Sequence, residues 1–452
     1  MSDIKCKLLV IGAGPGGYVC AIRAGQLGVD TVIVDAGNPG GTCLNVGCIP
    51  SKALIHAADE FHKIAVVGAG PLGISAGAPD IDLARTMAWK DGIVERLTSG
   101  VAGLLRKAGV RVVSGQARFL DGKTVRIDGA DGTVTARAEH IVIATGSAPL
   151  EIPALPFGGD ILSSTEALAL TSVPGSLAVV GGGYIGLELG TAFAKLGARV
   201  TVVEGEDRIL PSYDSALTRP VASRLEALGI TVMTGTKALS HDDGVLKTSN
   251  GDVEAEKVLV AVGRRPRTDG VGIDELGLTR DGAFIRVDRG CQTSMRGIHA
   301  IGDVTGDPML AHRAMAQGDM VAARIAGQSE VWDRLAIPAV CFTDPEIVTC
   351  GALPDEIEGT TATQFPFAAN GRALTTERDD GFLRVVWRES DHAVLGLQAV
   401  GAGVSELSAG FALAIEMGAR LEDLAATICA HPTQSETIQE ACLKALGRAL
   451  HT

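Results

Sequence analysis

Two stretches of the chain repeat one pattern of apolar and small residues. Each opens with a short apolar run, which ends at Ile11 in the first stretch and at Val180 in the second. A glycine-rich turn follows, and then come a helix-like segment with alanine and leucine and a second apolar run, at 31–34 and 200–203. Short apolar runs bounded by glycine are typical of buried strands. The pattern therefore predicts a strand–helix–strand unit that occurs twice.

The two turns share their glycine spacing, and each second strand ends on an acidic residue 23 positions after the first glycine. These residues are Gly12, Gly14, Gly17 and Asp35 in the first unit, and Gly181, Gly183, Gly186 and Glu204 in the second. Such glycines let backbone N–H groups approach a pyrophosphate, and the acid can accept hydrogen bonds from ribose hydroxyls. Close helix–sheet packing could explain one copy of the glycines, but hardly both copies with their acids. We therefore predict two bound dinucleotides.

The acid of the second unit also bears on which dinucleotide binds there. The Glu204 carboxylate would repel the 2′-phosphate of NADP, whereas it can bind the free ribose hydroxyls of NAD. The sequence therefore predicts NAD in the second unit.

Further apolar runs complete the predicted fold. One run closes each unit, at 140–146 and 258–263, and a third run at 299–301 leads into Asp303. A proline-rich stretch at 150–180 is expected to link the two units. After residue 338 the pattern changes to strand-like and helix-like stretches at 381–387, 395–400, 406–417 and 435–450. We predict an α/β protein with two Rossmann-like dinucleotide-binding domains and a C-terminal α+β domain.

Composition and charge narrow the range of partners. The 452 residues carry a net charge of −13, which argues against nucleic acid or an anionic membrane as the main partner. Nine cysteines are too few and too scattered for the disulfide framework of a secreted protein. The first apolar run is too short for a signal peptide, and no apolar stretch is long enough to cross a membrane. A cytoplasmic location is therefore expected.

Two cysteines follow the first glycine turn, at Cys43 and Cys48. A disulfide needs its Cα atoms within ~7 Å, whereas five residues of regular helix rise ~7.5 Å. The two thiols can therefore pair only where the backbone is irregular, which Gly47 permits. A strained dithiol at a helix start, where the dipole favours a thiolate, is typical of a redox site. The alternative is two buried cysteines that never meet.

A candidate general base lies near the C-terminus, between Ala430 and Glu436. A dithiol substrate needs a base that works near neutral pH, and histidine is the side chain suited to this role. Glu436 is placed to orient the His431 ring and to stabilise its protonated form. A histidine followed by proline is otherwise a common loop feature, so the pairing is a hypothesis.

One motif carries a family resemblance. Residues 41–52 read GTCLNVGCIPSK, which resembles the redox motif of the pyridine nucleotide–disulfide oxidoreductases. Ser51 before Lys52 is typical of the branch that acts on lipoyl groups, and the similarity continues to the C-terminus. The resemblance implies four domains: an FAD-binding domain at 1–147, an NAD-binding domain at 148–269, a central domain completing the FAD site at 270–337 and a dimerisation domain at 338–452.

The resemblance implies a role for each reactive residue. Cys48 corresponds to the thiol nearest the flavin, which forms a charge-transfer thiolate, and Cys43 corresponds to the thiol that meets substrate. His431, oriented by Glu436, is implied to serve the dithiol of the other subunit, so the expected enzyme is a homodimer. Many members of this branch carry histidine where this chain has Cys429, which is a departure from the pattern.

Other residues correspond to positions that hold the cofactors. Lys52 and Glu188 match an ion pair beside flavin N5, and Asp303 matches the residue that binds the ribitol. Tyr184 matches a tyrosine that covers the flavin until nicotinamide displaces it. The complete predicted sets are Gly12, Gly14, Gly17, Asp35, Thr42, Lys52, Thr145, Gly146, Asp303, Met309, Leu310, Ala311 and His312 for FAD, and Gly181, Gly183, Tyr184, Gly186, Glu188, Glu204 and Gly263 for NAD. No metal site is predicted.

The implied activity is oxidation of protein-bound dihydrolipoyl groups coupled to reduction of NAD+. The implied partner is the lipoyl domain of a 2-oxo acid dehydrogenase acyltransferase core or the glycine cleavage carrier protein. Among these, the chain is similar to the dehydrogenase that is associated with branched-chain 2-oxo acid complexes. Two alternatives stay open: a reductase of another small disulfide and a non-catalytic flavin-binding module. Arginines in place of Glu204 would favour the first, and loss of Cys43 or His431 would favour the second.

Overall fold

The first α/β unit is built on a largely parallel sheet in the computed structural model, which describes residues 3–451. Its elements are β1 (Asp3–Ile11), α1 (Pro15–Gln26), β2 (Thr31–Asp35), α2 (Gly41–Val46), α3 (Cys48–Val66), α4 (Leu83–Lys107), β3 (Arg111–Ser114), β4 (Gln116–Asp121), β5 (Thr124–Gly129), β6 (Gly132–Ile143) and β7 (Ser147–Pro149). The strand order is β3-β2-β1-β6-β5-β4, in which β3, β2, β1 and β6 are parallel. The predicted strands at 8–11 and 31–34 are confirmed within β1 and β2, and the strand predicted at 140–146 ends earlier, at Ile143 of β6.

The second unit repeats this architecture with a five-stranded parallel sheet. Its elements are β8 (Ile161–Leu162), α5 (Ser164–Ala167), β9 (Ser176–Val180), α6 (Tyr184–Lys195), β10 (Arg199–Val203), α7 (Ser215–Ala227), β11 (Thr231–Met233), β12 (Ala238–Asp242), β13 (Val245–Thr248), β14 (Val253–Glu254), β15 (Lys257–Val260) and β16 (Arg264–Pro266). The sheet order is β11-β10-β9-β15-β8. β16 pairs with β7, so the last strand of the second unit contacts the end of the first.

The stretch at 150–180, expected as a linker, is in large part a component of the second unit. β8 pairs with β15 at the sheet edge, and α5 follows with Ser163 as its N-cap. The Ser163 hydroxyl accepts the N–H of Thr165 at 3.1 Å, and Glu166 accepts the N–H of Ser163 at 2.9 Å. A two-residue strand and a one-turn helix are too short to show a periodic pattern of apolar residues. The proline content of this stretch therefore favours a linker in the sequence alone.

The chain then returns to the first unit. The next elements are β17 (Arg280–Asp281), β18 (Phe284–Ile285), β19 (Ile298–Ala300) and α8 (Ala311–Ile325). β19 pairs in parallel with β6, which confirms the strand predicted at 299–301 and extends the first sheet. α8 packs closely on α1, since a Cβ atom at Gly318 would lie 2.4 Å from the carbonyl oxygen of Gly16. This return brings Asp303 to the carboxyl ends of β1 and β6.

The C-terminal part forms an antiparallel sheet covered by helices. Its elements are β20 (Ala339–Cys341), β21 (Glu346–Gly351), β22 (Thr360–Pro366), α9 (Gly371–Thr375), β23 (Phe382–Arg388), β24 (Val394–Gly401), α10 (Ser408–Glu416), α11 (Leu421–Ala426) and α12 (Glu436–Ala445). The sheet order is β20-β21-β24-β23-β22. The strands predicted at 381–387 and 395–400 are confirmed as β23 and β24. The helix predicted at 435–450 ends earlier, because Gly447 adopts φ +70° just beyond it and terminates the helix.

The three large sheets contribute to separate buried cores, and one core joins the units. In the C-terminal part, Phe365, Leu397, Phe411 and Cys442 pack together between sheet and helices. A larger core combines α3, α4 and the second unit with residues of the C-terminal sheet. Among residues 3–451, no helix has both the length and the hydropathy needed to cross a membrane.

Candidate active site

The first glycine of each repeated turn takes a backbone conformation that disfavours other residues. Gly12 has φ +102° and Gly181 has φ +108°. A Cβ atom would lie 2.3 Å from the Ala144 carbonyl oxygen in the first turn and 2.5 Å from the Ala261 carbonyl oxygen in the second. Both positions therefore require glycine for conformation and for space.

The other two glycines of each turn serve different purposes. A Cβ atom at Gly17 would lie 1.9 Å from the carbonyl oxygen of the first glycine, and the corresponding distance at Gly186 is 2.3 Å. These two glycines allow the helix to pack against its own turn. By contrast, the nearest atom to a Cβ at Gly14 would be 4.0 Å away, and Gly183 has none within 4 Å. The middle glycines therefore leave open space at a helix N-terminus, which suits a bound pyrophosphate.

The two acids also hold the turns in the same way. Asp35 accepts hydrogen bonds from the N–H groups of Ala13, at 2.5 Å, and Gly37, at 2.7 Å. Glu204 accepts them from the equivalent N–H groups of Gly182, at 2.5 Å, and residue 206, at 2.8 Å. Each carboxylate oxygen keeps a lone pair that can accept a ribose hydroxyl. The matching geometry fits a dinucleotide in each unit.

A cavity of about 450 Å³ opens at the first turn, a size typical of ligand sites. The first turn of α8 forms part of its wall. Most of the residues predicted for FAD line it: Gly12, Gly14, Asp35, Thr42, Lys52, Thr145, Gly146, Asp303, Met309 and Ala311. Three predicted residues do not. Gly17 packs against Gly12, Leu310 lines the second cavity, and the His312 ring contacts the Pro338 carbonyl oxygen at 2.8 Å.

A second cavity of about 950 Å³ opens at the second turn. Five of the residues predicted for NAD line it: Gly181, Gly183, Tyr184, Glu204 and Gly263. Gly186 packs inside its turn, and Glu188 lines the first cavity instead. Tyr184 lines both cavities, so its ring stands at the boundary between them.

The two cysteines contact each other at the wall of the first cavity. α2 ends at Val46 and α3 begins at Cys48, and Gly47 between them has φ −139° and ψ −109°, which is the irregular backbone that the spacing requires. The pKa of Cys48 is lowered to about 7, because a hydrogen bond from Cys43 and the charge of the Lys52 ammonium together outweigh the effect of burial. The same hydrogen bond raises the pKa of Cys43. Cys48 is therefore the thiol that ionises, while Cys43 keeps its proton.

An ion pair lies one helical turn beyond Cys48. Lys52 Nζ is 2.7 Å from Glu188 Oε2, which joins α3 of the first unit to α6 of the second. The Glu188 side chain is buried, and its other oxygen accepts the backbone N–H of Phe342 at 2.9 Å. The predicted pair is thus present at the wall of the first cavity.

The structure adds a polar chain that the sequence analysis missed. Arg264 Nε donates to the Ser147 hydroxyl at 2.8 Å, and that hydroxyl donates to Asp303 Oδ2 at 2.5 Å. Arg264 lines both cavities. These hydrogen bonds orient Asp303 toward the first cavity, and they place the positive charge of Arg264 between the first and the second cavity. The sequence does contain one indication that Arg264 lies near the cofactor sites, because it directly follows Gly263, the last residue predicted for NAD.

The candidate base lies apart from these cavities. His431 Nδ1 contacts Glu436 Oε1 at 2.8 Å, as predicted, and the His431 side chain is 80% exposed. Burial raises the pKa of Glu436, but hydrogen bonds from the Thr433 N–H and from His431 outweigh this effect, so the carboxyl has a lowered pKa. Cys429 contacts the Ser435 carbonyl oxygen at 3.7 Å. All described residues that line the cysteine cavity belong to the range 12–314.

Comparisons with known proteins agree with this geometry. The model described as pyridine nucleotide-disulphide oxidoreductase matches residues 6–318, and that of its dimerisation domain matches residues 337–442. A dihydrolipoyl dehydrogenase of Pseudomonas aeruginosa is 56% identical with both chains fully covered, and dihydrolipoyl dehydrogenase 2 of Haloarcula marismortui is 48% identical with 99% and 98% covered. The crystal structure of LpdA from Mycobacterium tuberculosis superposes with a TM-score of 0.90 at 28% identity, covering 97% of this chain and 99% of that one.

The chain therefore belongs to the pyridine nucleotide-disulphide oxidoreductase family. Within that family it is similar over its full length to dihydrolipoyl dehydrogenases, so the predicted branch and enzyme class are confirmed. The comparisons favour this class over a reductase of another small disulfide and over a non-catalytic flavin-binding module. Family membership implies the use of FAD and NAD(H), and the C-terminal part is a dimerisation domain.

Proposed function

We propose that the chain oxidises protein-bound dihydrolipoyl groups through the Cys43–Cys48 pair and reduces NAD+. The observation that carries this proposal is the contact between the two thiols at the wall of the first cavity, whose lining extends from the first glycine turn to Tyr184 at the boundary with the second cavity. Bound FAD would take the electron pair from the dithiol and bound NAD+ would take it as hydride. The middle glycines and the two acids would hold the phosphates and ribose hydroxyls of these cofactors.

The thiol chemistry divides between the two cysteines. His431 takes the proton of a dihydrolipoyl thiol, and the resulting thiolate attacks the Cys43 sulfur of the oxidised pair. The Cys43–Cys48 bond breaks and leaves Cys48 as a thiolate, which its lowered pKa favours. The second substrate thiol then displaces Cys43, which leaves with that thiol's proton. The substrate becomes a disulfide, and the enzyme is left with Cys43 as a thiol, Cys48 as a thiolate and His431 protonated, so two electrons and two protons are transferred.

We infer that each dithiol is served by His431 of the other subunit. His431 belongs to the dimerisation domain and is mostly exposed, whereas the cysteine cavity is lined by residues of the first two units. Exposed apolar side chains accompany it in the same domain, at Leu413, Met417 and Ile428. Such side chains are typical of a surface that a partner covers. A homodimer would therefore complete two sites.

The substrate is inferred to be a lipoyl domain on another protein. The candidates are the acyltransferase core of a 2-oxo acid dehydrogenase complex, of which the branched-chain complex is one, and the glycine cleavage carrier protein.

An assay of the purified enzyme tests the proposed function. The protein is expected to carry FAD and to form NADH from dihydrolipoamide and NAD+. Reduction of glutathione disulfide by NADPH is measured as the control for the alternative activity, a reductase of another small disulfide. Rapid turnover of glutathione disulfide without dihydrolipoamide oxidation would refute the proposal.

The NAD preference can be tested at Glu204. Replacing Glu204 by glutamine removes the negative charge and keeps one of the two oxygens that accept N–H groups of the turn. The preference for NAD+ over NADP+, measured as the ratio of kcat/KM values, is expected to fall about tenfold, since a like-charge contact costs on the order of 1–4 kcal/mol near a surface. Glu206→Gln changes a carboxylate that lines the same cavity and serves as the matched control. Equal use of both cofactors by the unaltered enzyme would contradict the carboxylate argument.

A further inference from the structure

The loop between β20 and β21 contacts the Lys52–Glu188 pair from outside the first cavity. Phe342 opens this loop and donates its backbone N–H to Glu188 Oε1 at 2.9 Å. The centroid of its ring lies 4.4 Å from Lys52 Nζ. Lys52 and Glu188 line the first cavity, whereas Phe342 is not among the described residues that line it. One half-buried residue thus holds both members of the pair from behind.

The pair is the first rung of a ladder between two helices. Lys52 on α3 contacts Glu188 on α6 at 2.7 Å, and Asp59 on α3 contacts Lys195 on α6 at 2.5 Å. Seven residues separate the rungs on each helix, so the four side chains lie on the facing sides of α3 and α6. The two ion pairs have opposite polarity, because α3 contributes the cation to the first pair and the anion to the second. This arrangement fixes the two helices against each other in register.

The same loop also holds the second rung. The Asp344 carboxylate is 2.7 Å from Lys195, 3.1 Å from Arg224 and 2.5 Å from Arg378. Asp344 is largely buried, and removal of one member of such a network leaves an uncompensated charge, so the loop is strongly anchored. Phe342, two residues earlier, is therefore held in a fixed place relative to α6.

The direction of the Lys52 ammonium follows from these contacts. An ammonium group has three N–H donors, and one is directed to Glu188. The ring of Phe342 presents its electron-rich face to the ammonium, and a cation over such a face is stabilised. Lys52 and Cys48 both line the first cavity, one turn apart on the same face of α3, so the charge of the ammonium also acts on the Cys48 thiol.

We propose that Phe342 is a positioning residue, whose ring and backbone N–H together hold the Lys52–Glu188 pair in the orientation that stabilises the Cys48 thiolate. This inference rests on the proposed function, because it assumes that Cys48 is the thiolate beside bound FAD. Phe342 itself contacts neither the dithiol nor the cofactor cavity in the proposed role.

The test is the pH dependence of the charge-transfer band of the two-electron-reduced holoenzyme. Phe342→Leu keeps an apolar side chain and the backbone N–H but removes the aromatic face. The pH midpoint of the band is expected to rise by about half a unit, a threefold change in the ratio of thiolate to thiol, which is the size of a partly exposed cation–π contact. Phe342→Tyr keeps the ring and is expected to restore the midpoint. For dihydrolipoamide, kcat should fall and KM should stay unchanged in Phe342→Leu.

Fluorination of the ring tests the same contact without altering shape. With 4-fluorophenylalanine and then 3,4,5-trifluorophenylalanine at residue 342, the midpoint is expected to rise stepwise, because each fluorine weakens the negative potential of the ring face. Phe382→Leu is the matched control, since its ring faces Arg384 instead, at 5.8 Å. An unchanged midpoint in the fluorinated series would overturn the inference, as would an equal shift in Phe382→Leu. Absence of the band in the unaltered enzyme would instead refute the proposed role of Cys48.

Discussion

Replacing Cys48 by serine is expected to abolish dihydrolipoamide oxidation and to remove the long-wavelength band of the reduced enzyme. Serine cannot supply a thiolate near neutral pH, so neither the redox bond nor the thiolate–flavin contact can form. Loss of a nucleophile that acts as part of a unit lowers turnover by on the order of 10³-fold or more. In the unaltered enzyme the band should grow as the pH rises through about 7, because the pKa of Cys48 is lowered to that value and the thiolate is the form present above it.

Cys43→Ser separates the roles of the two thiols. This variant is expected to lose turnover to the same extent but to keep the band, because Cys48 can still ionise. Absorbance spectra of both variants with FAD in its oxidised form, recorded with an NADH-formation assay, make the comparison, because neither variant has a disulfide that could accept electrons before the flavin. Cys429→Ser provides a control thiol near His431 and should retain activity and band. A band that survives in Cys48→Ser would assign the thiolate to another cysteine.

The repeated unit was predictable from sequence because its physics is local. Gly12 and Gly181 must be glycine for reasons that lie within one turn, and the acids that follow bind backbone N–H groups next to that turn. Strand and helix periods, the turn and the acid all fall within about thirty residues. Each unit could therefore be recognised without its neighbours.

The supporting contacts were not predictable in this way because they join distant parts of the chain. Ser147 reaches Asp303 across 156 residues, and Phe342 reaches Glu188 across 154. A pattern along one strand or helix carries no information about such a partner. The Phe342 contact depends on a loop of the C-terminal sheet, whose placement follows from the ion pairs of Asp344.

The separate roles of the two cysteines follow from the local sequence pattern and from contacts in the fold together. Their spacing showed that regular helix could not bring them together, and the structure places the break at Gly47. Which thiol ionises follows from position within the fold, because the pKa of Cys48 is lowered first by the hydrogen bond from Cys43 and then by the Lys52 ammonium. The family motif implied the same assignment without giving this cause.

The arrangement of His431 predicts a complementation result in mixed dimers. Cys43→Ser and His431→Gln homodimers should each be nearly inactive with dihydrolipoamide, since every site lacks one essential group. A mixed dimer pairs one Cys43→Ser subunit with one His431→Gln subunit. If His431 acts on the partner's dithiol, one of its sites carries both defects and the other carries none.

The mixed dimer is therefore expected to recover roughly half of the activity of the unaltered enzyme, because sites without shared contacts act independently. If His431 instead served its own dithiol, both sites would carry one defect and no activity would return. Co-expression with two affinity tags isolates the mixed dimer, and one NADH-formation assay decides between the arrangements. Glu436→Gln offers a graded control, since it keeps the ring in place but weakens the support of its protonated form. A mixed dimer with full FAD content and no activity would refute the site shared between subunits.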